Sequence, residues 1–291
     1  MKFAAAFAFT DVSHLPELAR TAEACGWDYV GISDHVVHPA NIESRYPYTD
    51  DGRPRWPPFT PWPDPWVAIA AMAAVTERIR FVTNIFVLPM RNPFLVAKAV
   101  ATASALSGGR VDLGIGVGWM REEFELLGQP FRRRGRRTEE MIEVLRKLWT
   151  GEMVEHHGEF YEFELLEMTP APVAPVPLYG GGVSDAALRR AARICDGWIS
   201  DLDSVDGLAA SIETLRRYRS ECGRGGEPLS VFASATDAFD VDGYRRLEAV
   251  GVTHLLTMPW ALYGHSPGCT LAEKKESLER FASDVIEKMR S

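Results

Sequence analysis

The sequence predicts an α/β fold, a closed (β/α)8 TIM barrel that spans residues 1–291 as a single domain. Eight short apolar segments alternate with longer helical patterns, so the strands should be parallel and joined by right-handed crossovers. A chain of 291 residues also suits this fold, which commonly uses about 250 residues as one domain. A doubly wound open sheet is the alternative, and it would bind a ligand where the strand order reverses.

Each predicted strand is a run of apolar residues, as expected for strands that are buried on both faces. The strands are 2–9, 29–33, 79–88, 111–117, 177–180, 197–200, 229–235 and 253–258. Several helices begin at recognisable caps, such as Asp64 before Pro65 and Asn92 before Pro93. The predicted helices are 15–25, 64–76, 93–106, 135–148, 184–194, 205–222, 241–250 and 271–289.

Two long segments interrupt the repeat, 35–63 after strand 2 and 150–176 before strand 5. Insertions this long in a compact domain are commonly functional, and their aromatic side chains argue against disorder. The first is rich in proline and tryptophan and follows strand 2 directly, so it should lie over the C-terminal mouth of the barrel. We interpret 35–63 as a lid, with a purely structural wrap as the alternative.

Net charge and the spacing of cysteines and histidines indicate which kinds of partner, location and metal site to expect. With 40 acidic and 32 basic residues, the net charge is −8, which argues against nucleic-acid and membrane partners. The four cysteines are far apart and form no CxxC pair, so we expect no disulfide framework and a cytoplasmic location. His156 and His157 are adjacent and would point to opposite faces of a strand, so we expect no metal site.

Asp34 and His35 close the second predicted strand, which would set both side chains at the mouth. Histidine titrates near neutral pH and suits proton transfer, and a neighbouring carboxylate can orient its ring. The alternative is a helix cap beside a packed imidazole.

Two glycine-rich segments also end predicted strands. Gly114, Gly116 and Gly118 precede Trp119, and the dinucleotide pattern GxGxxG fails because no glycine stands at the required position. Alternating glycines let a planar ring approach the backbone, but they also permit close strand packing, and both readings stay open. The run 180–182 enters a helix at Ser184, so it predicts either a phosphate site or a flexible turn.

Taken together, these segments resemble the luciferase-like monooxygenase superfamily, and within it the branch of deazaflavin (F420)-dependent oxidoreductases. The resemblance runs over essentially the whole chain. Its landmarks are Gly31–His35, Asp64–Trp66, Thr76–Arg80, Leu88–Pro93, Leu106–Val111, Gly116–Trp119 with Glu122–Phe124, Gly180–Ser184 with Ala191 and Ala192, and Asp196–Trp198.

The resemblance implies a flavin or deazaflavin in the mouth of the barrel. It implies a bulge in strand 3, often with a non-prolyl cis peptide bond, and a phosphate at the turn before Ser184. The residues that it assigns to the cofactor are Asp34, His35, Thr83, Asn84, Ile85, Val117, Gly118, Gly181, Gly182, Val183 and Ser184.

The implied reaction is hydride transfer between F420 and a small organic substrate, with His35 moving the proton and Asp34 orienting His35. Sugar-phosphate dehydrogenases of the family carry a glutamate where this chain has Trp119, which argues against a sugar phosphate. We expect an apolar or aromatic substrate instead, with a wall formed by Phe9, Phe59, Trp62 and Trp119.

Two alternatives stay open. The first is a monooxygenase that uses O2 and reduced FMN from a separate reductase, because the glycine landmarks suit FMN as well as F420. The second is a catalytically silent flavin-binding barrel. The arginine-rich segment 132–137 could meet the oligoglutamate tail of F420 or form a solvated helix entrance. The resemblance also implies a homodimer and a flavin or F420 reductase as a partner.

Overall fold

A closed parallel barrel forms the centre of the computed structural model, which describes residues 1–291. The strands are β1 Lys2–Ala6, β2 Tyr29–Ile32, β3 Arg80–Thr83, β4 Phe86–Val87, β5 Val111–Gly116, β6 Val154–His157, β7 Glu162–Leu166, β8 Leu178–Gly181, β9 Gly197–Ile199, β10 Ser230–Ala233 and β11 His254–Thr257. Nine strands form one sheet in the order β3-β2-β1-β11-β10-β9-β8-β5-β4, and pairing of β3 with β5 closes it. The predicted (β/α)8 barrel is confirmed.

The helices surround the barrel and follow the predicted order. They are α1 Leu15–Ala24, α2 Pro65–Ala73, α3 Pro93–Ser107, α4 Arg121–Leu126, α5 Arg134–Leu148, α6 Asp185–Ile194, α7 Val205–Glu221, α8 Val241–Val250, α9 Pro259–Leu262, α10 Leu271–Phe281 and α11 Glu287–Arg290. The side chains of Asp64 and Asn92 cap α2 and α3, as the sequence predicted. The short helices α4 and α9 were not predicted. No helix is both long and apolar enough to cross a bilayer.

The third barrel strand carries the interruption and the non-prolyl cis peptide bond that the resemblance implies, so the predicted run 79–88 is not one continuous strand. It is divided into β3 and β4 at Asn84 and Ile85, whose peptide bond is cis. The side chain of Ile85 occupies space that glycines leave on two neighbouring strands. A Cβ atom on Gly116 would overlap Cδ1 of Ile85, and one on Gly181 would lie 3.0 Å from its Cγ2. Close packing, one of the two readings of the alternating glycines, therefore applies at Gly116.

Aromatic and polar side chains fill the N-terminal half of the barrel. The carboxylate of Asp112 is completely buried and accepts a hydrogen bond from the Tyr179 hydroxyl at 2.9 Å, and it also pairs with Arg80. Beside this group, the ring of Phe232 stacks on His254 with 4.0 Å between centroids. None of these side chains lines the cavity at the other end of the barrel, so we assign them to the core.

The second insertion contains an antiparallel hairpin of β6 and β7, where the sequence predicted only a loop. His156 is buried and its Nε2 lies 3.3 Å from Oε1 of Glu140, whereas His157 is exposed, so the two rings do face opposite ways. Ligand atoms of Glu155, His157 and Glu164 lie within 4.8 Å of one another on the exposed face. Exposed groups of this kind are common without an ion, and the absence of a metal stays a prediction.

The buried His254 predicts a specific acid sensitivity. Burial lowers its pKa from 6.5 to about 3, so between these pH values the unfolded chain binds the proton more readily than the folded chain. The free energy of unfolding should therefore fall as the pH drops below about 6.5, with a contribution of up to about 1.4 kcal/mol per pH unit. Urea denaturation of wild type and His254→Gln between pH 7.5 and 4.5 measures it. The variant should show a shallower decline, whereas the exposed control His157→Gln should follow wild type; equal slopes for all three would contradict the assignment.

Candidate active site

A cavity of about 840 Å³ opens at the C-terminal ends of the barrel strands. This volume is typical of pockets that enclose a small organic ligand or cofactor. Its lining draws on residues that follow β1, β2, β5, β8 and β9, on the break between β3 and β4, and on the ends of β10 and β11. Segments that are far apart in the chain therefore meet at one mouth.

Most of the predicted site residues line this cavity. They are Phe9, Asp34, His35, Trp62, Asn84, Ile85, Val117, Gly118, Trp119, Gly181, Gly182, Val183 and Ser184. Whether each of them contacts a ligand stays a prediction.

The structure corrects two predicted positions. Thr83 does not line the cavity, because its side chain is completely buried and its hydroxyl donates to the Gly114 carbonyl at 2.7 Å. It joins neighbouring strands beneath the mouth. Phe59 does not line the cavity either, since it is fully exposed on the outer side of the proline-rich segment. We therefore remove Thr83 from the cofactor residues and Phe59 from the substrate wall.

The prediction that Asp34 orients His35 is also wrong. Both oxygens of the Asp34 carboxylate bind Arg91, at 2.6 and 2.7 Å, and Oδ2 also accepts from the Val87 N–H at 2.9 Å. Burial raises the pKa of Asp34, and the charge of Arg91 opposes that shift. With these partners, Asp34 holds the end of the divided third strand and has no hydrogen bond to the imidazole.

Glu123 on α4 binds His35 instead. Its Oε2 lies 2.9 Å from Nδ1 of His35, and its Oε1 accepts from the N–H groups of Val36 at 2.5 Å and Val37 at 3.2 Å. Burial alone would raise the pKa of Glu123, but the hydrogen bonds from His35 and the two N–H groups outweigh burial and lower the pKa. An ionised carboxylate only accepts, so Nδ1 carries a proton and Nε2 remains available for chemistry.

In the sequence, Glu123 stands out only as a landmark of the family. A carboxylate five residues beyond Gly118 was the available signal. It could not be used, because a helix as short as α4 has no recognisable periodicity.

Aromatic rings surround His35 and exclude water from it. The centroids of Trp56 and Trp62 each lie 4.9 Å from the imidazole, and that of Trp119 lies at 6.1 Å. Tyr46 packs against both Trp56 and Trp119. Segment 35–63 thus lies over the mouth, as predicted, although the sequence analysis did not assign Trp56 or Tyr46 to the site.

Two polar contacts anchor this segment to the barrel. The guanidinium of Arg55 binds the carboxylate of Asp201 through two hydrogen bonds, at 2.7 and 2.8 Å. On the other side, Glu122 accepts from the N–H groups of Glu43 at 2.6 Å and Ser44 at 2.9 Å. The segment is therefore fixed at the end of β9 and at α4.

The glycine turn before α6 faces the cavity with free donors. Gly182 has a φ of 103°, a conformation that favours glycine. The hydroxyl of Ser184 accepts from the Ala187 N–H at 3.3 Å and so caps the helix. The backbone N–H groups from Val183 to Ala186 have no protein acceptor, and together with the helix dipole they suit an anion.

Arg134 is a candidate site residue that the sequence analysis did not single out. It lines the cavity, its Nε donates to the Gly118 carbonyl at 2.9 Å, and it has no carboxylate partner. Burial, and then the charge of Arg190, lower the pKa of its guanidinium. Of the segment 132–137, only Arg134 lines the cavity, because Arg133 and Arg136 pair with Glu159 on the surface.

Comparisons with known proteins identify the family. The chain matches the luciferase-like monooxygenase family over residues 4–265. An uncharacterized protein of Mycobacterium tuberculosis is 42% identical over 290 residues, which covers 99% of this chain and 100% of that protein. An F420-dependent glucose-6-phosphate dehydrogenase of Nakamurella multipartita is 32% identical over 241 residues, covering 81% and 66% of the two chains. An FMNH2-dependent dimethylsulfone monooxygenase of Pseudomonas putida is 34% identical over 151 residues, covering 50% and 41%.

Solved structures share the fold at lower identity. The F420-dependent tetrahydromethanopterin reductase of Methanopyrus kandleri has a TM-score of 0.76 at 16% identity and covers 99% of both chains. An F420-dependent secondary alcohol dehydrogenase has a TM-score of 0.77 at 17% identity, covering 100% of this chain and 99% of that one. The family match spans most of the barrel and agrees with the landmarks read from the sequence. The chain therefore belongs to the luciferase-like monooxygenase family, whose members related to it include F420-dependent and FMNH2-dependent enzymes.

Proposed function

We propose that this protein transfers a hydride between F420 and a small apolar or aromatic organic substrate held in the mouth cavity. One observation carries the proposal: an anion-binding turn, a glycine-containing floor and an oriented histidine share a single cavity. The turn suits the phosphate of a tricyclic redox cofactor, the floor suits its ring, and the histidine suits the proton transfer that accompanies its reaction. When bound, the deazaflavin supplies a two-electron hydride carrier that reacts poorly with O2.

The residues present fit such a cofactor. Ile85, Val117 and Gly118 line the cavity at and beyond the strand ends and offer a surface that a flat ring can contact. Gly118 has a φ of 78°, and Phe124 and Val87 occupy the space where its side chain would lie. The N–H groups of Val183 and Ser184 would hold the phosphate, and the unpaired cation of Arg134 would add charge.

His35 moves the proton in the proposed reaction. Glu123 fixes the ring through Nδ1, so the proton is exchanged with the substrate at Nε2. Trp56 and Trp62 pack around the imidazole and keep water away from it. Asp34 acts indirectly, by holding Arg91 and the β4 backbone below the site.

The charges of the cavity wall disfavour a cationic substrate. Asp34 is neutralised by Arg91, and Asp201 is neutralised by Arg55, so neither carboxylate is free to bind a cationic group. Aromatic rings form much of the remaining wall, including Trp119 at the position where the resemblance places a glutamate in sugar-phosphate dehydrogenases. These features support an apolar or aromatic substrate over a sugar phosphate.

We also propose a cytoplasmic homodimer that works with an F420 or flavin reductase. The outer faces of α2 and α3 carry the exposed side chains of Val67 and Leu95, which a second copy could cover. All four cysteines are unpaired, in keeping with a reducing compartment.

Direct titration separates F420 from FMN. We expect the apoprotein to bind reduced F420 with micromolar affinity and FMNH2 much more weakly, as measured by fluorescence under anaerobic conditions. The F420-dependent relatives support this expectation, whereas the dimethylsulfone monooxygenase supports the FMNH2-dependent alternative. Micromolar binding of FMNH2 without binding of F420 would reverse the assignment.

His35→Asn tests the acid-base role. The amide cannot exchange the proton, so turnover of a substrate found by screening should fall about 10²-fold or more, while cofactor affinity changes little. Steady-state kinetics and cofactor titration measure the two quantities. A variant with unchanged turnover would remove His35 from the mechanism, and failure to find any turnover by wild type across the screen would favour the silent barrel.

Glu123→Gln tests the positioning of His35. A neutral amide is a weaker acceptor for the imidazole and for the N–H groups of Val36 and Val37, so we expect a loss of about 1 to 3 kcal/mol in the free energy of unfolding. Turnover should also fall by about tenfold or more. Glu125→Gln is the matched control, because Glu125 is exposed on the same helix and its side chain makes no hydrogen bond or ion pair. Equal effects of the two substitutions would contradict the assignment.

A further inference from the structure

A tyrosine of segment 35–63 reaches the glycine turn on the opposite side of the cavity. A Cβ atom on Gly182 would lie 3.7 Å from the hydroxyl oxygen of Tyr48. Tyr48 and Gly182 both line the cavity, together with Ser184 at the start of α6. The hydroxyl thus lies beside the turn whose N–H groups are free.

The hydroxyl of Tyr48 has no hydrogen-bond partner in the protein, although its backbone is firmly held. Its carbonyl accepts from Nη2 of Arg55 at 2.8 Å, and the same guanidinium binds both oxygens of Asp201. The ion pair between Arg55 and Asp201 therefore fixes Tyr48 beside the turn. The hydroxyl lines the cavity without a partner in the protein, and it is therefore placed to bind a ligand there.

The electrostatic surroundings keep this hydroxyl a donor. Burial raises the pKa of Tyr48, and the negative charge of Asp201 raises it further, against the opposing effect of Arg55. The phenol therefore stays protonated at neutral pH and can donate one hydrogen bond to an anionic oxygen.

We propose that the Tyr48 hydroxyl donates a hydrogen bond to the phosphate of the bound cofactor, so that segment 35–63 and the glycine turn hold the phosphate from opposite sides. This inference rests on the proposed function. It adds a phosphate ligand that comes from the proline-rich segment, separate from the turn itself. It also implies that the bound phosphate adds one more contact between this segment and the barrel, beside the Arg55–Asp201 ion pair and the hydrogen bonds to Glu122.

Tyr48→Phe tests the inference, because it removes only the donor. The experiment compares the dissociation constants of F420 and of its phosphate-free deazariboflavin for wild type and variant, by fluorescence titration, with FMN and riboflavin as a second pair. Loss of one hydrogen bond to a charged group should weaken binding of the phosphorylated member about tenfold or more and leave the phosphate-free member within about twofold.

Tyr46→Phe is the matched control. Tyr46 lies on the same segment, and its ring packs against those of Tyr48, Trp56 and Trp119. The substitution keeps that ring and removes only a hydroxyl that does not lie within 4 Å of the Cβ position of Gly182. Its substitution should change the affinities of both members of a pair by the same factor. Equal losses for both members in Tyr48→Phe, or no loss for either, would overturn the Tyr48 contact while the proposed function stands. If wild type binds neither pair, the proposed function fails and this inference fails with it.

Discussion

The cavity depends on one packing arrangement, the insertion of Ile85 against glycines of the neighbouring strands. No other residue type could stand at Gly116 without displacing the Ile85 side chain, whereas a Cβ atom on Gly181 would make only a tight contact with it, at 3.0 Å. Ile85 lies at the break in the third barrel strand, so the break and the glycines form one structural unit. This unit ends the packed interior and forms the floor on which a ligand can lie.

Above that floor, Glu123 connects parts of the chain that would otherwise be independent. Its carboxylate holds the imidazole that ends β2 and the first backbone N–H groups of segment 35–63, while its neighbour Glu122 holds the same segment at Ser44. The short helix α4 therefore positions both the proposed proton carrier and its aromatic cover. A substitution in α4 should therefore change the position of the His35 ring, even though α4 contributes little to the barrel itself.

The barrel could be predicted from the sequence because each of its strands is buried on both faces and is therefore a continuous run of apolar residues. Sequence reasoning also gathered most of the cavity residues, through glycines and polar residues at strand ends. It assigned the wrong carboxylate to His35, since adjacency in the chain favoured Asp34 while the fold brings Glu123 to the ring from 88 residues away. The sequence also could not show that Phe59 is exposed or that Arg134 points into the cavity. Both depend on the geometry of loops, which the pattern of neighbouring residues does not determine.

In the proposed complex, the floor at Ile85 and the turn at Gly182 bind two ends of the same cofactor. A crystal structure of the protein grown with reduced F420 tests it most directly. The tricyclic ring should lie against Ile85 and Gly118 with its phosphate within hydrogen-bond distance of the N–H groups of Val183 and Ser184. Electron density for the ring outside this mouth, or for a phosphate away from the turn, would contradict it.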